Sequence, residues 1–139
     1  MVVVEVVVEV EVVVFLIILR VDRRMKTIIK KCDDLWGKLV RARGRCERCG
    51  KTTNLQAAHI ISRRYAKTRH MLENGVCLDA GCHLFWAHLE PDQFTDFIRE
   101  TRGADIHQRL RTIANSPDKP DYEKAYQILK EAERLNKLI

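Results

Sequence analysis

No apolar stretch in this chain is both long and free of charge. The longest, Val12 to Leu19, falls well short of the roughly 20 residues that a membrane span needs. The acids just before it would each cost about 2.5–3.5 kcal/mol near the centre of a buried helix. A membrane span is therefore not expected. A cleavable export signal is not expected either, because residues 1–19 contain no base and the basic residues follow the apolar stretch instead of preceding it. Cysteine is scarce and odd in number, at five, which argues against a secreted disulfide framework and for a reducing, cytoplasmic setting. There is no internal repeat, and Asn115-Ser116-Pro117 with Pro120 forms the clearest linker.

What is present is a soluble composition, 46% hydrophobic and 32% charged over 139 residues, enough for one domain with a modest core. The net charge of +6 is unevenly spread. Residues 1–19 carry three acids and no base, residues 20–70 carry 16 bases and 4 acids, and residues 71–139 carry 9 bases and 12 acids. A middle segment at +12 sets up a field that draws in polyanions, of which nucleic acid is the commonest.

Residues 1–19 place Val, Leu or Ile at every even position from 2 to 18 and all three Glu at odd positions. That period of two predicts a strand. Residues 1–24 are read either as a long extra strand or as a low-complexity leader, with Met25-Lys26-Thr27-Ile28 as the natural start of the functional part. The leader is the favoured reading.

A helix is predicted from Cys32 to about Arg43, with Leu35, Trp36, Leu39 and Val40 on its inner face and Gly44 past its end. Short strands are predicted at Leu55–Ile61 and Val76–Leu78, then a helical stretch at His83–Leu89. Pro91 opens the next helix and Gly103 closes it. A short helix carries Ile106, Leu110 and Ile113, and a last one from Asp121 buries Tyr122, Tyr126, Leu129, Ala132 and Leu135. The fold class is α+β, with residues 25–115 as the main domain and 116–139 as linker and amphipathic helix. Cys32 reads as a core residue, and His70 and His107 as surface residues.

Four cysteines and four histidines fall between Cys46 and His88. Cys46-x2-Cys49, with Gly50 just after, is a zinc-knuckle spacing, and Cys82 can supply a third thiolate. For the fourth ligand two candidates share one side of a strand. Asp79 stands three residues before Cys82, where a second knuckle would place its partner, and Cys77 lies two further back. Sulfur binds zinc better, so Cys77 is expected and Asp79 is the alternative.

The ordered run CERCGKTTNLQAAHIISRRY and ENGVCLDAGCHLFWAH resembles the HNH (ββα-metal) endonucleases, and more closely their small phage-type members with a four-cysteine zinc site. The resemblance covers about Cys46 to His88. It implies a ββα-metal core with a structural Zn²⁺, and DNA as partner. It implies that His59 is the general base, that Asn74 fixes the loop and orients that histidine, and that His83 binds a catalytic divalent ion such as Mg²⁺. His88 is a candidate second ligand, and Arg63, Arg64 and Lys67 are candidate phosphate clamps.

Two departures stand out. Ala58 occupies the position before the base where many members carry a metal-binding Asp or His. His83 and His88 are five residues apart instead of four, so on a regular α-helix they diverge by about 140°, although a π-bulge realigns them. The expected activity is metal-dependent DNA hydrolysis. The alternatives are a non-catalytic zinc-ribbon-like nucleic-acid-binding module and a structural zinc protein that binds another protein through its C-terminal helices.

Overall fold

The computed structural model describes residues 2–138, with side chains described from Glu9 onward. Helix α1 runs from Val2 to Arg41, so the N-terminal segment is helical and the predicted strand is not formed. A lone strand would leave its N–H and C=O groups unpaired, whereas a helix satisfies them internally. No Gly or Pro occurs before Gly37 to interrupt it. From Val10 to Ile18 its apolar side chains are exposed, Val10 and Phe15 to 57% and 60%. Among the described residues no helix is long and apolar enough to cross a membrane.

The rest is α+β. Strand β1 (Leu55–His59) pairs antiparallel with β2 (Gly75–Asp79), with Ala57 opposite Cys77 and His59 opposite Gly75. Their connection holds a short helix, α2 (Ala66–Arg69), and a 3₁₀ turn, Leu72–Asn74. After β2 comes a π-helix, Cys82–Ala87, then α3 (Pro91–Arg102), α4 (Ile106–Ala114) and α5 (Tyr122–Asn136). Asp121 caps α5 by accepting from the Lys124 N–H at 3.0 Å.

The alternation of β2 sorts the core into two layers. Val76 and Leu78, with Ala58, face Trp86, Ile98, Ile106 and Leu110. Cys77 faces Cys32, Trp36, Val40 and Leu129 between α1 and α5. All of β2 is buried, as expected for a strand covered on both faces. Gly75 permits the close approach to α1, since a Cβ there would lie 2.5 Å from Val40 Cγ2.

Cys32 is fully buried, as its place in the sequence suggests. Three further sequence expectations fail. Leu135 is 47% exposed because the inner face of α5 ends before it. His70 is 6% exposed and bonded to Asp33 on α1, a contact across 37 residues that local sequence does not show. His107 is half-buried, with its Nδ1 sealed from solvent and unpartnered.

Candidate functional site

The turn Cys46–Gly50 closes through the Gly50 N–H to the Cys46 carbonyl at 2.9 Å, and the Cys46 N–H reaches the Lys51 carbonyl at 2.8 Å. Gly50 takes φ +80°, which strains any L side chain, so glycine suits the end of the knuckle. At the far end of β2, Asp79 meets this turn. The thiols of Cys46, Cys49 and Cys82 and a carboxylate oxygen of Asp79 all lie within 4.8 Å of one another. Three sulfurs and one oxygen form a donor set that suits zinc.

Asp79 divides its two oxygens between tasks. Oδ1 accepts from the Gly81 and Cys82 N–H groups at 3.0 and 3.2 Å, fixing the start of the π-helix, while Oδ2 accepts from the Cys49 thiol at 2.8 Å. The Cys49 thiol first, then the thiols of Cys82 and Cys46, hold the Asp79 carboxyl well below the usual range. Burial first, then the neighbouring carboxylate, pushes the Cys82 thiol up to about 12, a value that a bound cation would reverse. Arg48 donates to Cys82 Sγ at 3.6 Å and lies 4.1 Å over the Trp86 ring.

The expected fourth ligand, Cys77, is not in this cluster. Its side chain packs between α1 and α5 with Cys32, Trp36, Val40 and Leu129, and so is turned away from the three thiols. Cys77 meets the knuckle through its backbone instead. Its N–H donates to Glu47 Oε2 at 2.6 Å, and its carbonyl accepts from the Glu47 N–H at 2.8 Å. The spacing that pointed to Asp79 outweighs the chemical preference for sulfur.

A second constellation lies in a cleft of about 820 Å³ between α1, β1 and the π-helix, lined in part by His59, His83, His88, Gln56, Arg41 and Arg63. No family model, curated protein or solved structure matches the chain. The chemistry of this cleft therefore rests on its own geometry.

His59 ends β1. Its ring stacks on Trp36, with centroids 4.1 Å apart and planes 16° apart, and its Nε2 lies 3.0 Å from the Arg69 carbonyl. A carbonyl only accepts, so Nε2 carries the proton and Nδ1 keeps a free lone pair. Burial lowers the pKa of His59 to about 4, so the ring is neutral at neutral pH.

Asn74 is fully buried and uses both ends of its amide. Oδ1 accepts from the Ile61 N–H at 2.7 Å, and Nδ2 donates to the Ile61 and Thr68 carbonyls at 3.0 and 2.9 Å. It thereby ties down the connection that carries the Arg69 carbonyl.

His83 and His88 come together, with ring centroids 4.8 Å apart. The intervening turn is wound as a π-helix, whose i→i+5 pitch brings residues five apart onto one side. Burial, then the neighbouring His88, lowers the His83 pKa. His83 Nδ1 lies 2.8 Å from Gln56 Oε1, which makes Nδ1 the protonated nitrogen and leaves Nε2 available. Sequence reading did not select Gln56. The usable signal was parity, since it lies two residues before Ala58 and shares its strand face.

Of the candidate clamps, Arg63 lines the cleft and Arg64 is exposed outside it. Lys67 turns inward, giving hydrogen bonds to Ser116 Oγ and O at 2.6 and 3.0 Å, so it fastens the linker instead of facing solvent. Arg41, which sequence reading passed over, lines the cleft with its guanidinium folded over Gly37.

Proposed function

We propose that this chain is a metal-dependent DNA endonuclease of the HNH (ββα-metal) type, with a structural zinc at Cys46, Cys49, Asp79 and Cys82. The carrying observation is the convergence of a neutral His59, with a free Nδ1, and the paired His83 and His88 in one cleft edged by Arg41 and Arg63.

His59 Nδ1 accepts a proton from water, and the resulting hydroxide attacks phosphorus. The P–O3′ bond breaks, and the 3′ oxygen leaves and takes a proton from solvent. As the imidazolium forms, its Nε2–H bond to the Arg69 carbonyl becomes charge-assisted, which steadies the ring while it holds the proton. His83 and His88 offer nitrogen ligands to a divalent ion such as Mg²⁺ or Mn²⁺, which when bound neutralises charge on the scissile phosphate. Gln56 orients His83 for that role. Arg41 and Arg63 attract the backbone and hold it by phosphate contacts that carry no sequence preference.

Ala58 supports a second reading, a zinc-stabilised nucleic-acid-binding module without catalysis. Its buried methyl supplies no ligand at the position beside the base.

Supercoiled plasmid incubated with Mg²⁺ or Mn²⁺ separates the two readings. Nicking or linearisation by the parent protein that is lost in His59→Ala and with EDTA supports the nuclease. Salt-sensitive binding without cleavage supports the module. No DNA retardation at low salt overturns both.

A further inference from the structure

The connection from β1 to β2 carries Arg63, Arg69 and His70, and all three turn back to one carboxylate on α1. Asp33 Oδ1 accepts from Arg69 Nε at 2.8 Å and from His70 Nε2 at 2.7 Å. Its Oδ2 accepts from Arg69 Nη2 at 2.6 Å, with Arg63 Nη2 at 3.7 Å. The Arg69–Asp33 pair is bidentate and largely shielded, at 21% and 31% side-chain exposure, so its geometry is well defined. The other end of the same arginine, its main-chain carbonyl, is the acceptor for His59 Nε2.

Three residues along α1, on the same face as Asp33, Trp36 stacks on the His59 ring. It also donates its indole N–H to the Met71 carbonyl at 2.9 Å. A single stretch of helix thus fixes both the plane of the His59 ring and the position of the group that its Nε2 edge faces.

We propose that Asp33 is a positioning residue for His59. By clamping Arg69 it holds the Arg69 carbonyl in place, keeps the proton on Nε2, and presents the Nδ1 lone pair to the cleft. The catalytic meaning of this rests on the nuclease reading above, while the tautomer itself does not. Without the clamp, the connection keeps its Asn74 bonds at Ile61 and Thr68 and the Arg69 N–H bond to the Tyr65 carbonyl at 3.1 Å, but loses the hold on Arg69 through its side chain. The carbonyl is then positioned by backbone bonds alone and shifts relative to the ring.

The test uses the zinc-loaded full chain and the variant Asp33→Asn, which keeps the shape and removes the charge. Long-range ¹⁵N correlation spectra at neutral pH are expected to show one Nε2–H tautomer for His59 in the parent and a mixture in the variant, with unchanged zinc content and dispersed amide signals. In plasmid cleavage kcat is expected to fall about 10–100-fold, the scale of a small misplacement of a reacting group. KM is expected to stay within about twofold, and Asp33→Glu is expected to recover part of the loss. Should Asp33→Asn fail to fold, Arg69→Lys replaces it, since an ammonium cannot make the bidentate contact, and the same tautomer mixing is expected. An unchanged single tautomer in a folded variant overturns the proposal. A parent that does not cleave, with a tautomer that loosens in the variant, overturns the nuclease reading and leaves the clamp standing.

Discussion

The imidazole of His59 lies flat against the indole of Trp36, with centroids 4.1 Å apart and planes inclined by 16°. Trp36 is 4% exposed and its N–H is bonded to the Met71 carbonyl, so the surface behind the histidine is rigid. Trp36→Ala removes the stacking surface, the hydrogen bond and a large core volume, and should cost about 3–5 kcal/mol. Urea denaturation measures this. The more conservative Trp36→Phe should lose less stability while still lowering the cleavage rate.

Acidification should weaken the fold through His59. An imidazole in the unfolded chain takes up a proton near pH 6.5, but in the folded chain only near about 4, because burial opposes the charge. Between these values the unfolded state binds more protons. The contribution of His59 is therefore complete above pH 6.5 and is lost as pH falls toward 4. Urea midpoints at pH 7.5 and pH 5 should differ more in the parent than in His59→Gln. The acid limb of the cleavage profile should lie near 4, well below that of a free imidazole.

Metal retention separates the cysteines. Cys46→Ser, Cys49→Ser, Cys82→Ser and Asp79→Ala should each weaken zinc binding by more than the 10–100-fold typical of outer-sphere changes. Cys77→Ser should bind one zinc with parental affinity. Its defect should appear as lower stability, since a hydroxyl replaces a thiol buried between α1 and α5. Chelator competition with metal analysis reads out both effects.

Gln56→Ala should lower the affinity for the divalent ion about 10–100-fold, because His83 loses the partner that fixes its tautomer. The response should be a higher Mn²⁺ requirement with little change at saturating metal. Zinc content should not move.

DNA affinity should report which bases face the cleft. Arg41→Ala and Arg63→Ala should each reduce the slope of log K against log salt by about one. Lys67→Ala should leave the slope unchanged and lower thermal stability, because its ammonium is engaged with Ser116.

Local signals made most of the fold legible in the sequence. Periodicity and end signals located the helices at Pro91–Arg102, Ile106–Ala114 and from Asp121, and the Cys-x2-Cys turn marked one half of the candidate metal cluster. Contacts between distant segments were not legible. Asp33 meets Arg69 and His70 across more than 35 residues, and no spacing rule exposes that. Lys67 and Arg63 look alike in the sequence, and the fold alone decides which one turns inward. Two errors were physical misjudgements. The valine alternation describes a strand only if another strand lies beside it, and none does among the described residues. Sulfur is the better ligand for zinc, but the Cys77 side chain is packed between α1 and α5, while the Asp79 carboxylate reaches the three thiols.

Asp79 performs two tasks with one carboxylate: Oδ1 secures the start of the turn that bears His83, and Oδ2 joins the thiol cluster. Occupation of the thiol cluster and winding of that turn are therefore linked equilibria. Linkage is reciprocal, so by whatever factor a metal ion at the cysteines would tighten ligand binding to the wound turn, that ligand would tighten metal binding at the cysteines. A ligand seated at His83 and His88 would then raise the affinity of the neighbouring thiol cluster for a metal ion. Metal affinity measured at equilibrium against a chelator would thus become a measure of occupancy in the cleft.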